Sequence, residues 1–195
     1  AASDVYKRQG LKKYGGDLAI GAFGIVNRLV FIVVMIVMGL NQGMQPIAGY
    51  NFGAKLYGRV NKVLRLTIIY ATAVTTFGFL VGMLVPDLVV GIFTSDAELT
   101  ELSVTGLRIT VMFFPIIGFQ MVTSNFFQSI GMAGKAIFLS LTRQMLILLP
   151  CLLVLPQFFG VAGVWYSMPV SDLLASLIAL VMLVCQFRKF RTSPL

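Results

Sequence analysis

Long apolar stretches separated by short polar breaks dominate the chain. The first is charge-free between Arg28 and Lys55 and extends back towards Asp17, where Gly15, Gly16 and Asp17 supply a start signal. The second runs from about Leu66 to Val85 and stops at Pro86-Asp87. The third opens on Ser95-Asp96-Ala97-Glu98, which fits a capping box with Glu98 reaching back to Ser95. That helix is expected to begin in water at Asp96, to enter lipid near Ile109 and to continue past Pro115 to about Ile130. The fourth ends near Pro156 and the fifth near Phe187, with Gly131, Gly134, Gly160 and Gly163 punctuating the loops. At 1.5 Å per residue, crossing a bilayer takes roughly 20 apolar residues. The pattern therefore predicts an all-α integral membrane fold with about five transmembrane helices, over about 17–52, 64–86, 105–130, 135–156 and 161–187. Connections this short make neighbouring spans antiparallel within one helical bundle over 17–190.

Composition narrows the class further. Of 195 residues, 58% are hydrophobic and 11% charged, against about 25% charged in soluble domains. A soluble globule and a disordered chain are both excluded. There is no His, so no Ser-His-Asp triad, Cys-His dyad or His-based metal site lies in these residues. Clustered nucleophiles, metal ligands and acid/base pairs are not visible either, so neither an enzyme nor a metal or other cofactor is expected. Cys151 and Cys185 stand alone in apolar stretches and read as packing. Residues 1–16 are expected to form an N-terminal strip and external loop. The first nine, AASDVYKRQ, differ in character from the rest of the chain and read as foreign to it; Ala1 in place of Met marks the chain as a piece.

Charge sets the orientation. With five alternating spans, one side holds Lys55, Arg59, Lys62, Arg65, Lys135, Arg188, Lys189 and Arg191. The other holds Asp87, Asp96, Glu98 and Glu101, with Arg108 near the lipid boundary and Lys12 and Lys13 as exceptions. The positive-inside rule places the basic side, including the 188–195 tail, in the cytoplasm of a multi-pass cell-membrane protein. Trp165 and Tyr166 then belong at the outer interface. The net charge of +8 follows from this asymmetry and does not indicate nucleic-acid binding. Lys55, Arg59, Lys62 and Arg65 share one helix face. They fit either a basic helix lying on anionic head groups or a juxtamembrane orientation signal.

Polar groups at membrane depth are the functional candidates. Asp172 is the carboxylate inside a span, about ten residues into the last helix and roughly 15 Å deep. Ionised and unpaired, it costs roughly 2.5–3.5 kcal/mol on insertion scales. It suits a proton carrier or cation ligand, a structural pair with Arg143 at similar depth in the preceding span, or a neutral packing role. Gln120, Ser124 and Gln128 form an i, i+4, i+8 stripe, and Asn41 and Gln45 an i, i+4 pair. Such stripes face another helix or a watery cavity. Pro46, Pro115, Pro150 and Pro169 fall within the spans as candidate hinges. Phe113, Phe114, Phe126 and Phe127 offer aromatic faces to a cationic guest or to helix packing.

The run GLNQGMQPIAGYNFGA at 39–54 resembles a signature of the multidrug and toxic compound extrusion (MATE) family, in its second lobe. The resemblance continues through YGGDLAIGAFGI at 14–25, VVGIFTSDAEL at 89–99, FFQSIGMAGKA at 126–136, RQMLILLP at 143–150 and GVAGVWYSMPVSDLL at 160–174. It implies helices eight to twelve of a twelve-helix, two-lobe transporter whose first half and helix seven are missing, and a cytoplasmic C-terminus. It also implies export of organic cations or drugs by antiport with Na⁺ or H⁺. Asp172 matches an acidic residue that many bacterial members carry in the last helix. Where some members have an acidic group in the tenth helix, this chain offers Gln120, Ser124, Asn125 and Gln128. The rival readings are a lipid-linked oligosaccharide flippase of the same superfamily and a membrane anchor subunit that transports nothing.

Overall fold

The computed structural model describes residues 2–192, and every regular element among them is helical. α1 spans Ala2–Gly53, α2 Tyr57–Leu84, α3 Pro86–Gly91, α4 Ala97–Val111 and α5 Phe114–Ser129. α6 spans Ala133–Leu141 and passes through a π-helical segment, Thr142–Leu148, into α7, Leu149–Thr192. The end of the predicted tail, 193–195, and the side chains of Lys13, Lys189 and Arg191 lie outside the described residues.

Two of these helices fold back on themselves. The backbone at Gly160 takes φ 58 and ψ −133, which an L side chain resists. On either side the chain runs antiparallel. Arg143 bonds Asp172 at 2.8 Å although 29 residues separate them, a distance of roughly 43 Å along a straight helix. Gly163 sits at the throat of this hairpin, where an added Cβ would strike the Leu155 carbonyl. Gly16 makes the matching break in α1 at φ 67. The expected N-terminal loop is therefore a helical segment folded against the bundle, with Leu11 fully buried. Apolar Leu11 gains more from packing there than a loop offers.

Counted by these breaks, the spans begin at Gly16, at Tyr57, at Ala97, at Ala133 and after Gly160. The third is bent by 54° between α4 and α5. Pro115 occupies the first turn of α5, where its missing N–H is tolerated. The second span starts seven residues before its expected position at 64, because the basic residues Arg59 and Lys62 lie on the same continuous helix. They do not form a separate surface helix. The capping box is also displaced: Asp96, not Ser95, caps α4 and accepts the Leu99 N–H at 2.8 Å. Large apolar side chains face outward along every span, among them Phe31, Ile36, Phe77, Leu84, Phe158 and Val181. Only a lipid surrounding accommodates that much exposed hydrocarbon.

Inside, the bundle has two apolar clusters. One gathers Phe23, Leu107, Phe114, Leu148 and Trp165. The other gathers Val60, Leu64, Phe126, Phe127, Leu139 and Leu183. Trp165, expected at the outer interface, is 2% exposed; its ring lies against Gly106 and 6.0 Å from Phe23. Helices approach closely where side chains are smallest. A Cβ on Gly118 would come within 2.8 Å of the Ala71 carbonyl across the α2–α5 contact.

Candidate functional site

The seam between the two apolar clusters falls at corresponding heights on three helices. On α5 it lies between Ile117 and Val122, at Gln120. On the α6–π run it lies between Leu139 and Leu148, at Arg143. On α7 it lies between Trp165 and Ala179, at Asp172. These three residues meet. Arg143 Nε donates to Asp172 Oδ1 at 2.8 Å, and Nη1 donates to Gln120 Oε1 at 3.4 Å. The Asp172 backbone carbonyl accepts from Ser176 Oγ at 2.7 Å. Asp172 and Gln120 are buried, whereas about a third of the Arg143 side chain is open, 32%.

The opening leads into a cavity of about 190 Å³. Its polar wall is Arg143, Asp172, Asn27, Thr110 and Ser171, with Lys7 at the N-terminal segment; Phe23, Phe114 and Ile117 supply apolar wall. The cavity thus combines a buried carboxyl group, a partly exposed guanidinium and hydrocarbon. That set is chemically complementary to a charged group with an apolar body. A larger groove of about 240 Å³ between α1, α2 and the α4–α5 bend is apolar, lined by residues such as Val33, Phe77, Val111 and Phe114.

The π segment explains how Arg143 reaches its partner. Pro150 has no N–H to offer the carbonyl four residues back and its ring crowds that carbonyl. The helix widens over Thr142–Leu148, immediately ahead of it. Widening inserts an extra residue into the turn and changes the direction of the side chains within it. Thr142 Oγ1 is left buried without a hydrogen-bond partner.

The other polar candidates form a second group. Gln45 Nε2 donates to Asn125 Oδ1 at 3.2 Å, joining α1 to α5, and Asn125 Nδ2 donates to the Met121 carbonyl at 2.9 Å. Asn41 is 2% exposed and neither of its amide atoms has a partner. Ser124 is half-buried and Gln128 is exposed, and none of the expected Gln120/Ser124/Gln128 stripe lines this cavity. Phe126 and Phe127 are fully buried against each other, 5.8 Å between ring centres, and present no face to the cavity. Pro46 and Pro169 lie inside α1 and α7 without interrupting their helical backbones.

Sequence reasoning missed Asn27, Thr110 and Ser171, although Ser171 follows Ser167 by four residues and adjoins Asp172, a spacing that marks a polar face. It also missed the hydrogen bond from Lys135 Nζ to Gln186 Oε1, 2.5 Å, which ties α6 to the end of α7. A Lys shortly after the α5 end reads only as an orientation signal.

Comparison with known proteins gives the family of the chain. The family model MatE matches residues 11–153. The chain is 28% identical to the multidrug export protein MepA of Staphylococcus aureus over 165 residues, 85% of this chain and 36% of that protein. It is 37% identical to the solved MATE multidrug transporter DinF-BH, with a TM-score of 0.82, covering 94% of this chain and 41% of that one. A similarity in fold alone, at 17% identity, holds for an outward-facing multidrug resistance MATE family transporter of the MOP superfamily. There the TM-score is 0.90, over 98% of this chain and 44% of the other. The chain thus spans roughly two fifths of the length of these relatives. With 143 of its residues (11–153) matching the family model, the chain belongs to the MATE family of multidrug transporters.

Proposed function

We propose that this chain works as one lobe of a secondary active exporter of organic cations and drugs across the cytoplasmic membrane, by antiport with Na⁺ or H⁺. The other lobe of the same protein completes the pathway, and the C-terminus lies in the cytoplasm. The observation that carries the reading is the Asp172 carboxylate on the wall of a cavity, held by a guanidinium that has a second acceptor beside it. A cation that approaches Asp172 competes with Arg143 for the same oxygen. Gln120 Oε1 lies on the other side of the guanidinium, so Arg143 has a neutral acceptor to move onto when the carboxylate is taken. Coupling ion and substrate then occupy the carboxylate in turn, and loading one releases the other. DinF-BH and MepA, by their names multidrug proteins, support the substrate class.

The test is transport of a fluorescent organic cation into vesicles under imposed Na⁺ or proton gradients. Asp172→Asn keeps the shape and hydrogen bonding but removes the charge. It is expected to lower gradient-driven transport at least about 10-fold, the effect of about 1.4 kcal/mol of lost ion affinity. Unchanged transport under both gradients and at every pH would sink the role given to Asp172.

A further inference from the structure

We propose that the first turns of α2 form a binding site for one anionic phospholipid of the phosphatidylglycerol type. The site begins with a charge imbalance. The seven acidic residues of the chain stand at 4, 17, 87, 96, 98, 101 and 172. None lies between 18 and 86, the stretch that holds Lys55, Arg59, Lys62 and Arg65. Among the described residues, neither Lys62 nor Arg65 has a carboxylate partner. Their neutralising charge therefore comes from outside this chain.

The geometry identifies its source. Lys62 and Arg65 line a concavity of about 500 Å³ with Gly58, Asn61, Leu66 and Ile69. Asn61 brings its Nδ2 amide to the same wall, a donor beside the two cations. Two cations for a phosphate and an amide donor for a neighbouring glycerol oxygen match a phosphoglycerol head group. Below them the same helix face turns to hydrocarbon. Leu66, Ile69, Ala73 and Phe77 follow Lys62 at spacings of four, three, four and four, and all are exposed. From Leu66 to Phe77 the rise is roughly 16 Å, about half the hydrocarbon thickness of a bilayer. That is the depth of one leaflet, so a lipid tail lies along the stripe while its head group rests on the basic turns. A soluble phosphate or an acidic protein surface uses the charges and leaves this stripe idle.

The measurement is intact-protein mass spectrometry of the protein that carries this chain, taken from detergent after exposure to an equal mixture of phosphatidylcholine and phosphatidylglycerol. Wild type is expected to retain phosphatidylglycerol in preference. A basic residue at a membrane surface contributes about 5-fold to such binding, so Lys62→Gln/Arg65→Gln together reduce the preference about 30-fold. Arg108→Gln, on α4, leaves it unchanged. Lys62→Arg/Arg65→Lys preserves both charge and preference, which separates loss of charge from loss of fold. Equal retention of the two lipids, a preference that survives the double Gln variant, or loss in the charge-preserving variant would each overturn the proposal. Displacement of the bound lipid by soluble glycerol phosphate would overturn it too, since the tail would then contribute nothing.

Discussion

Arg143 and Asp172 show what a charge pair costs and gives inside a membrane. Each ion left alone at this depth would be expensive, and each removes most of the other's penalty. The pair is therefore poor evidence of stability taken by itself but good evidence that neither residue tolerates loss of its partner. Arg143→Ala strands the buried carboxylate and is expected to cost about 3 kcal/mol, the low end for buried pairs. The low end applies because the Arg143 side chain is 32% open and water relieves part of the loss. The double change Arg143→Met/Asp172→Leu removes both charges and fills the space with apolar atoms, so it should recover most of that stability while abolishing coupled transport. Thermal unfolding in detergent reads the first quantity and vesicle transport the second. Recovery of both would mean that the pair only holds the helices together.

At the scale of elements, the cap and the widened turn make separate demands. Asp96 takes an extended backbone (φ −75, ψ 125) and its carboxylate accepts from Leu99, while its own N–H donates to Thr94 Oγ1 at 3.2 Å. Asp96→Ala is expected to cost about 1 kcal/mol and to speed amide exchange at 97–100, with no change around Arg143. An equal slowing or no change at all in exchange at those amides would show that the cap does not hold this end. The existence of the helices was legible because apolar runs of this length have no other use. Their ends were less so: Ser95 and Asp96 are both good caps, and only the backbone angle decides between them. The breaks lie at glycines and not at the candidate proline hinges, for a physical reason. A Pro within a long packed helix gives up one hydrogen bond and the helix continues, as at Pro46 and Pro169. A reversal within one or two residues is eased by positive φ, and Gly16 and Gly160 supply it. The meeting of Arg143 with Asp172 could be read from depth arithmetic on antiparallel helices. The part played by Gln120 could not be separated from its stripe, because a period of four says that residues share a face but not which of them is reached by a neighbour.

Across the whole molecule, close contacts sort the charges into two ends. Lys135 bonds Gln186 and lies 5.1 Å over the Phe127 ring, so the start of α6 and the ends of α5 and α7 share one end. The Ser129 carbonyl faces Gly49, which brings the end of α1 and hence the Lys55 turn to the same place. There Lys55 closes α1 at φ 59, with the Leu56 N–H reaching back to the Asn51 carbonyl at 2.8 Å. At the opposite end Glu98 and Glu101 line a concavity with Leu18 and Val161, and Leu99 packs on Gly21. A bundle with Lys55, Arg59, Lys135 and Arg188 at one end and its acidic loop at the other, Lys12 before the Gly16 break being the exposed exception, has a strong orientation in a bilayer with an anionic inner face. With Cys151 and Cys185 replaced by Ala, single cysteines introduced as Arg59→Cys and Glu98→Cys report that orientation. A thiol reagent that cannot cross the membrane, applied to intact cells, is expected to modify the variant at 98 and to reach the variant at 59 only after the membrane is opened. Labelling with the sides exchanged would invert the molecule. It would put the basic turns of α2 in the outer leaflet and turn the Glu98–Glu101 end, with the cluster of Phe23 and Phe114 that walls the cavity beside Asp172, towards the cytoplasm.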